Sequence, residues 1–192
     1  MKYKVITISR QFGSGGRTVG KELAKKLGVP CYDQELIEMF AQKSGFSAQH
    51  ISELNEESTK AHILPNRSDR VERSLQHTLW QKQRDVILEL AEKEPCVIVG
   101  RCADFILRDR TDVLRVYIHA DKEKRAKRIV EVYGEREDAP LKRIADKDKR
   151  RVGYYESFTT NKWGDAKNYH ITLDSGEFGI DACVDLLEGL CK

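Results

Sequence analysis

The sequence predicts an α/β fold in three layers: a five-stranded parallel sheet with helices on both faces. Three observations predict it. Short runs rich in β-branched residues alternate with longer stretches of helical periodicity, the pattern of a parallel sheet wrapped by helices. A chain of 192 residues is long enough for one domain, residues 1–192, burying roughly 70% of its extended-chain surface. A glycine-rich segment also lies directly between the first strand and the first helix.

In chain order, Val5 to Ile8 reads as strand one, and Val19, Leu23 and Leu27 recur every four residues as the apolar stripe of helix one. Gly28 and Pro30 stop that helix. Cys31 and Tyr32 end a short second strand. Cys96 to Val99, flanked by Pro95 and Gly100, is a buried third strand, Val113 to Ile118 a fourth and Tyr169 to Leu173 a fifth. A last helix near Ile180 to Leu190 presents Ile180, Cys183, Val184 and Leu187 on one face and closes the core.

Two regions interrupt this alternation. About sixty residues separate strands two and three, more than a crossover helix needs. They hold a Glu-rich helix start at Ser52 to Glu57, a turn at Pro65-Asn66 and a long helical pattern through Val71, Leu75, Leu79, Val86 and Leu90. We read about 40–93 as a helical module inserted on the substrate side. Between strands four and five, Tyr133-Gly134 and Ala139-Pro140 break two highly charged helical stretches into a solvent-exposed hairpin.

The formal charge of +3 hides an uneven distribution. Lys122 to Arg151 contains 12 basic and 7 acidic residues, a net +5, which leaves −2 for the rest. A basic segment of that kind calls for an anion. The near-neutral remainder disfavours nucleic acid as the partner. No stretch approaches the ~20 apolar residues of a membrane span, and the first ten positions are too short an apolar run for a signal peptide. The expectation is a cytoplasmic protein without a membrane partner. Five cysteines without a CxxC pair read as reduced thiols, not as a disulfide framework or zinc site.

The most informative segment is Gln11-Phe12-Gly13-Ser14-Gly15-Gly16-Arg17-Thr18. Its glycines and serine allow backbone N–H groups to converge on a phosphate beside the positive end of the next helix. Against GxxxxGK[ST], the segment matches at Gly16 and Thr18, has Arg17 for the lysine and Gln11 for the first glycine. Arginine keeps the charge and adds a bidentate fork for phosphate oxygens. A strand-to-helix turn without a ligand would use similar residues, but the placement favours phosphate.

The blocks ITISRQFGSGGRTVGKELAKKLGVPCYDQELI, CVIVGRCADFIL and VYIHADKEKRAKRI, in this order and spacing, resemble the cytidylate kinase-like branch of the P-loop nucleoside monophosphate kinases over nearly the whole chain. The resemblance implies a P-loop NTPase fold, ATP and Mg²⁺ as cofactors, and a small-molecule nucleotide or related metabolite as acceptor. It places ATP phosphates on Gly13, Ser14, Gly15, Gly16, Arg17 and Thr18, with Arg17 in the lysine role and the Thr18 hydroxyl facing Mg²⁺. It also implies an acceptor site under the insertion and an Arg-rich lid at about 122–160.

Asp33, just past strand two, is where open α/β sheets place ligand contacts, and in the resembling kinases an Asp there points at the acceptor. It is equally suited to cap a following helix. Gly100-Arg101-Cys102-Ala103-Asp104 ends strand three where those kinases carry Gly-Arg-Asp. Arg101 would hold the acceptor phosphate, with an ion pair as the structural alternative. Cys102 replaces the acid, Asp104 is its candidate substitute, and phosphoryl transfer needs no thiol nucleophile. After His119-Ala120-Asp121, Arg125 and Arg128 share a helix face toward ATP, and Arg143, Lys147, Arg150 and Arg151 form a second set. Arg150 and Arg151, with Arg125 or Arg128, would close over the transferring group. Tyr154, Tyr155, Phe158 and Trp163 read as packing against the sheet more than as a base platform, and His119 as packed or capping.

Phosphoryl transfer is mostly positioning and charge neutralisation, so this inventory suits an ATP-dependent phosphotransferase. A phosphate acceptor needs no general base; for a hydroxyl acceptor Asp33 would be the candidate. The alternatives are a P-loop kinase of a small hydroxylated metabolite and a nucleotide-binding regulator with little turnover.

Overall fold

A computed structural model of the chain describes residues 1–33, 39, 43, 67–136 and 138–192. The Ser52 to Glu57 helix start and the Pro65-Asn66 turn lie outside the described residues.

Five parallel strands form one sheet in the order β2-β3-β1-β4-β5: β1 Val5–Arg10, β2 Cys31–Tyr32, β3 Cys96–Val99, β4 Val113–His119 and β5 Ile171–Asp174. Helix α1 (Gly16–Leu27) follows β1, and α2 (Arg67–Lys93) leads into β3. A single turn, α3 (Ala103–Ile106), follows β3. The hairpin α4 (Lys122–Glu131) and α5 (Pro140–Phe158) connects β4 to β5, and α6 (Gly179–Cys191) ends the chain.

The central position of β1 follows from its two registers. Ile6 pairs with Val97 of β3 and with Leu114 of β4, so both of its backbone edges are satisfied by neighbours. Successive side chains then face opposite layers. Ile6, Ile8, Val97, Val99, Val116 and Ile118 meet Val19 and Leu23 of α1 and Cys183, Val184 and Leu187 of α6. On the other face, Val5, Cys96, Ile98 and Val113 meet Val86, Ile87, Leu90 and Ala91 of α2. This is the expected three-layer architecture; β1, β4 and β5 end one or two residues beyond their predicted ends, and β5 starts two residues later than predicted. Gly28, at φ 68°, caps α1 and donates to the Lys25 carbonyl, as its C-terminal placement requires.

The α4–α5 hairpin differs from the expected solvent-exposed unit. Ala126 and Ile129 of α4 and Ile144 of α5 make a further small core, with Phe12 from the β1–α1 loop packed against it. The high charge of the hairpin had masked that seam, because its apolar positions are few and short. Asp121 starts α4 by accepting the Glu123 backbone N–H at 2.8 Å, and Pro140 opens α5. Among the described residues no helix is long and apolar enough to cross a membrane, and the five cysteines form no disulfide.

Leu23 is fully buried between α1 and the sheet, whereas Leu186 on α6 is half exposed. Leu23→Ala should therefore cost about 2–5 kcal/mol, and Leu186→Ala less than about 0.5 kcal/mol. Urea unfolding of the two variants measures both.

Candidate active site

At the carboxyl ends of β1 and β3, a cavity of about 250 Å³ opens between the sheet and α5. Among the described residues, five cationic ones line it: Arg10 at the end of β1, Arg101 just after β3, and Lys147, Arg150 and Arg151 from α5. Ser9, Gly100, Cys102, Tyr154, Tyr155 and Trp163 line it as well. The strand ends supply this position because parallel strands all release their chain on the same side, into loops that meet there.

The β1–α1 loop is held in shape from several directions. Gly13 and Gly15 both have φ of 78°, a left-handed backbone that favours glycine. The buried Ser14 hydroxyl donates to the Gln11 carbonyl at 2.9 Å. Arg128 donates to the Ser14 carbonyl at 2.6 Å, and the buried Ser175 hydroxyl donates to the same oxygen. Gln11 ties the loop to β4: its N–H donates to the Ile118 carbonyl at 3.0 Å, and its side-chain carbonyl accepts the Ala120 N–H at 3.1 Å. Helix α1 starts at Gly16, whose N–H donates to the Ser14 hydroxyl oxygen at 3.4 Å, and the N-cap Gly15 offers no side-chain cap, so the positive end of the helix dipole lies at the loop.

The hairpin grips the same loop. Asp148 of α5 accepts the Phe12 N–H at 2.7 Å and pairs with Arg125 at 2.6 Å, and Arg125 donates to the Phe12 carbonyl at 3.1 Å. Arg125 is only 3% exposed. It is engaged behind the loop and does not line the cavity. Arg128 likewise lies against the Ser14 carbonyl, and Arg143 holds the turn between α4 and α5 by pairing with Glu135 at 3.0 Å and Asp138 at 3.5 Å. The two predicted cation sets are thus divided: Lys147, Arg150 and Arg151 reach the cavity, while Arg125, Arg128 and Arg143 shape its surroundings. Arg151 also donates to the Arg10 carbonyl at 3.0 Å. Burial pulls its guanidinium below the usual arginine value, and Asp148 and Asp33 offset part of this.

Arg17 is half exposed and pairs with Asp33. Thr18 is exposed on the first turn of α1. Asp33 also lies 4.0 Å from Arg10, so it neighbours two arginines; the capping alternative falls on Gln34 and Glu35, which lie outside the described residues. Arg101 and Cys102 both adopt left-handed backbone, with φ of 58° and 56°, following Gly100 at 79°. Three such residues in a row turn the chain sharply and aim Arg101 at the cavity. The Gln83 amide of α2 supports this turn by donating to the Arg101 carbonyl at 3.1 Å, while its carbonyl accepts the Tyr154 hydroxyl at 3.1 Å.

Asp104 does not reach the cavity surface. It is 2% exposed and accepts hydrogen bonds from Ser9 at 3.2 Å and Tyr155 at 2.6 Å. Burial raises its pKa, and these two donors only partly counter that. Burial also pushes the Cys102 thiol up, which keeps it protonated and poorly nucleophilic. Of the aromatic residues, Phe158 stacks on Trp80 at 5.6 Å, Tyr154 meets Phe158 edge-on at 5.1 Å, and Trp163 meets Tyr117 edge-on at 5.5 Å. His119 lies 3.9 Å from Asp174 beside Tyr117. Among the described residues no group of His, Cys, Asp or Glu could by itself hold a metal ion.

Arg10, Gln83, Asp148 and Ser175 were not singled out from the sequence, and Gln11 stood out only as a departure from the phosphate-loop pattern. Arg10 alone carried a legible signal, a cation at the carboxyl end of a predicted strand. The others act through contacts between distant segments.

A parallel sheet in the order 2-3-1-4-5, a glycine-rich loop between β1 and α1, and a cationic cavity above it define a P-loop kinase, a phosphotransferase acting on a nucleotide or small metabolite. The model of the cytidylate kinase-like family matches residues 5–177, and the chain belongs to that family. It is 29% identical over 189 residues to a cytidylate kinase of Archaeoglobus fulgidus, covering 95% of this chain and 91% of that one. A cytidylate kinase of Pyrobaculum calidifontis is 27% identical, with 97% and 92% covered. A crystal structure of an uncharacterized protein from Eubacterium ventriosum superposes with a TM-score of 0.74 at 29% identity, over 97% of this chain and 96% of that one. The fold is shared with shikimate kinase from Acinetobacter baumannii, with a TM-score of 0.55 at 17% identity, over 98% and 93%.

Removing one member of the buried Arg125–Asp148 pair leaves a buried charge without its counter-ion. Asp148→Asn should destabilise the fold by about 3–5 kcal/mol, and the double variant with Arg125→Met should recover part of this; denaturant titration decides it. Because the folded-state pKa of Asp104 is raised, its ionisation costs stability as pH rises through that value. Asp104→Asn removes the cost, so the variant should gain on the wild type as pH rises above the ordinary aspartate range, as thermal unfolding across a pH series would show.

Proposed function

We propose that this kinase transfers the γ-phosphoryl group of ATP to a nucleoside monophosphate, with a cytidine nucleotide as the leading acceptor. The observation that carries this reading is the convergence of Arg101, Lys147, Arg150 and Arg151 on one cavity beside the glycine-rich loop. Two phosphate-bearing substrates need that much positive charge, because the reaction spreads negative charge over the transferred group and holds two anions together. The family membership and the cytidylate kinase relatives support the same chemistry.

In this mechanism the Gly13 to Thr18 loop binds the donor phosphates with its backbone N–H groups and the α1 N-terminus. Arg101 orients the acceptor phosphate. Arg150 and Arg151 stabilise the charge on the transferring group, and the α4–α5 hairpin acts as the lid that excludes water. Residues 40–93 would carry the rest of the acceptor site. Asp33 is engaged with two arginines and is not presented as a base, which fits a phosphate acceptor better than a hydroxyl.

Phosphoryl-transfer sites hold Mg²⁺ with one or two protein ligands together with phosphate and water, so a single hydroxyl is enough on the protein side. Thr18, exposed beside the loop, would hold it, and the ion would neutralise charge on the donor phosphates.

Incubation with Mg-ATP and a panel of CMP, dCMP, UMP, AMP and GMP should give ADP with the pyrimidine nucleotides. ATP binding without turnover on any of them would refute the proposal. Arg101→Ala should lower kcat/KM for the preferred acceptor by about 100-fold, while ATP affinity changes far less.

A further inference from the structure

We infer that Arg10, the last residue of β1, is the side-chain cation that grips the polyphosphate at the loop, in the role the sequence pattern gives to Arg17. This rests on the kinase reading above and adds a residue to it.

Two side chains compete for that role. Arg17 follows the loop in sequence, but its Nε is bonded to Asp33, its side chain is 50% exposed, and it does not line the cavity. Arg10 lines the cavity, its side chain is only 22% exposed, and among the described residues its carboxylate neighbour is Asp33 at 4.0 Å, beyond hydrogen-bond range.

The surrounding backbone is shaped to admit Arg10. A Cβ at Gly16 would come within 2.5 Å of the Arg10 Cβ, and one at Gly100 would collide with the Arg10 guanidinium. One glycine of the loop clears the stem of Arg10, and the glycine ending β3 clears its head. The guanidinium is thereby held between the loop and the Arg101 turn, where the donor and acceptor phosphates would meet.

Its electrostatic setting calls for an anion. Burial, then Arg151, Arg101 and Arg17, pull the Arg10 pKa down to about 9, with Asp33 opposing them. The group remains a cation at neutral pH, crowded by like charges and weakly compensated. A phosphate accepting two parallel N–H bonds from the guanidinium fork relieves both problems. The same charge also accounts for a loop that lacks the lysine of the usual pattern.

The test uses the full chain, with inorganic triphosphate as probe and calorimetry as readout. Arg10→Gln should weaken triphosphate binding by about 30-fold or more, the scale of a lost charged hydrogen-bond pair. Arg10→Lys should restore most of that loss, and Arg10→Gln should weaken binding at least about ten times more than Arg17→Gln does. Equal losses for the two Gln variants, or undiminished binding by Arg10→Gln, would overturn the assignment. If Arg10→Gln does not fold, phenylglyoxal labelling of the wild type takes its place. Triphosphate should then protect Arg10 and leave Arg17 reactive, and the reverse pattern would overturn the assignment. A wild type that phosphorylates no nucleotide but binds triphosphate through Arg10 refutes the acceptor proposal alone. Normal turnover with Arg17 dominant refutes the Arg10 assignment alone.

Discussion

The concentration of positive charge at the carboxyl ends of β1 and β3 is the constraint around which the site is arranged. Arg10, Arg101, Lys147, Arg150 and Arg151 share one cavity of about 250 Å³. Like charges at such separations repel, and partial burial strengthens the repulsion by lowering the local dielectric. Asp33 and Asp148 offset part of it from the flanks, Asp33 through Arg10 and Arg17, Asp148 beside Arg151. A dianionic ligand would offset the rest. Gathering these like charges is electrostatically unfavourable in a way that favours an anionic ligand, and folding tolerates it because the apolar cores lie elsewhere in the described residues.

Charge alone would not make a specific site, since it must be held in place. The Asp148 carboxylate performs that task for the loop. It accepts the Phe12 N–H and pairs with Arg125, whose guanidinium also holds the Phe12 carbonyl. Both polar groups of one loop residue are thus bound by the hairpin that carries Lys147, Arg150 and Arg151. On the other wall, Gln83 links the Arg101 turn to Tyr154 of the same helix. Movement of α5 would consequently be felt at the loop and at Arg101 together, through two contiguous hydrogen-bonded paths.

Arg125 and Asp104 show how the same residue types serve different ends. Arg125 shares a helix face with Arg128, which suggests a ligand, yet its burial and its pairing with Asp148 make it a brace. Asp104 stands two residues from Cys102, where a substitute acid was expected, yet it lies beneath the cavity wall with Ser9 and Tyr155 as donors. In both cases a polar group removed from water is given partners, as its desolvation requires.

From the sequence alone, the strand and helix order, the apolar stripe of α1, the closing face of α6 and the placement of the glycine-rich loop were all legible. Those features depend on short-range periodicity and on the local backbone preferences of glycine and proline, which neighbouring residues settle between them. Resemblance added the family and the roles expected of the loop, the insertion and the basic hairpin, which pattern and charge had already marked out. Tertiary structure decided which cations face the cavity, because helical spacing groups Arg125 with Arg128 and Arg143 with Lys147 but says nothing about what packs against each. It also placed Arg10 in the cavity and Arg17 on Asp33, two residues seven positions apart whose roles depend on partners brought in from β2, β3 and α5. A side chain's ligand is set by the neighbours that desolvate and pair it, and in a parallel sheet those neighbours come from distant parts of the chain.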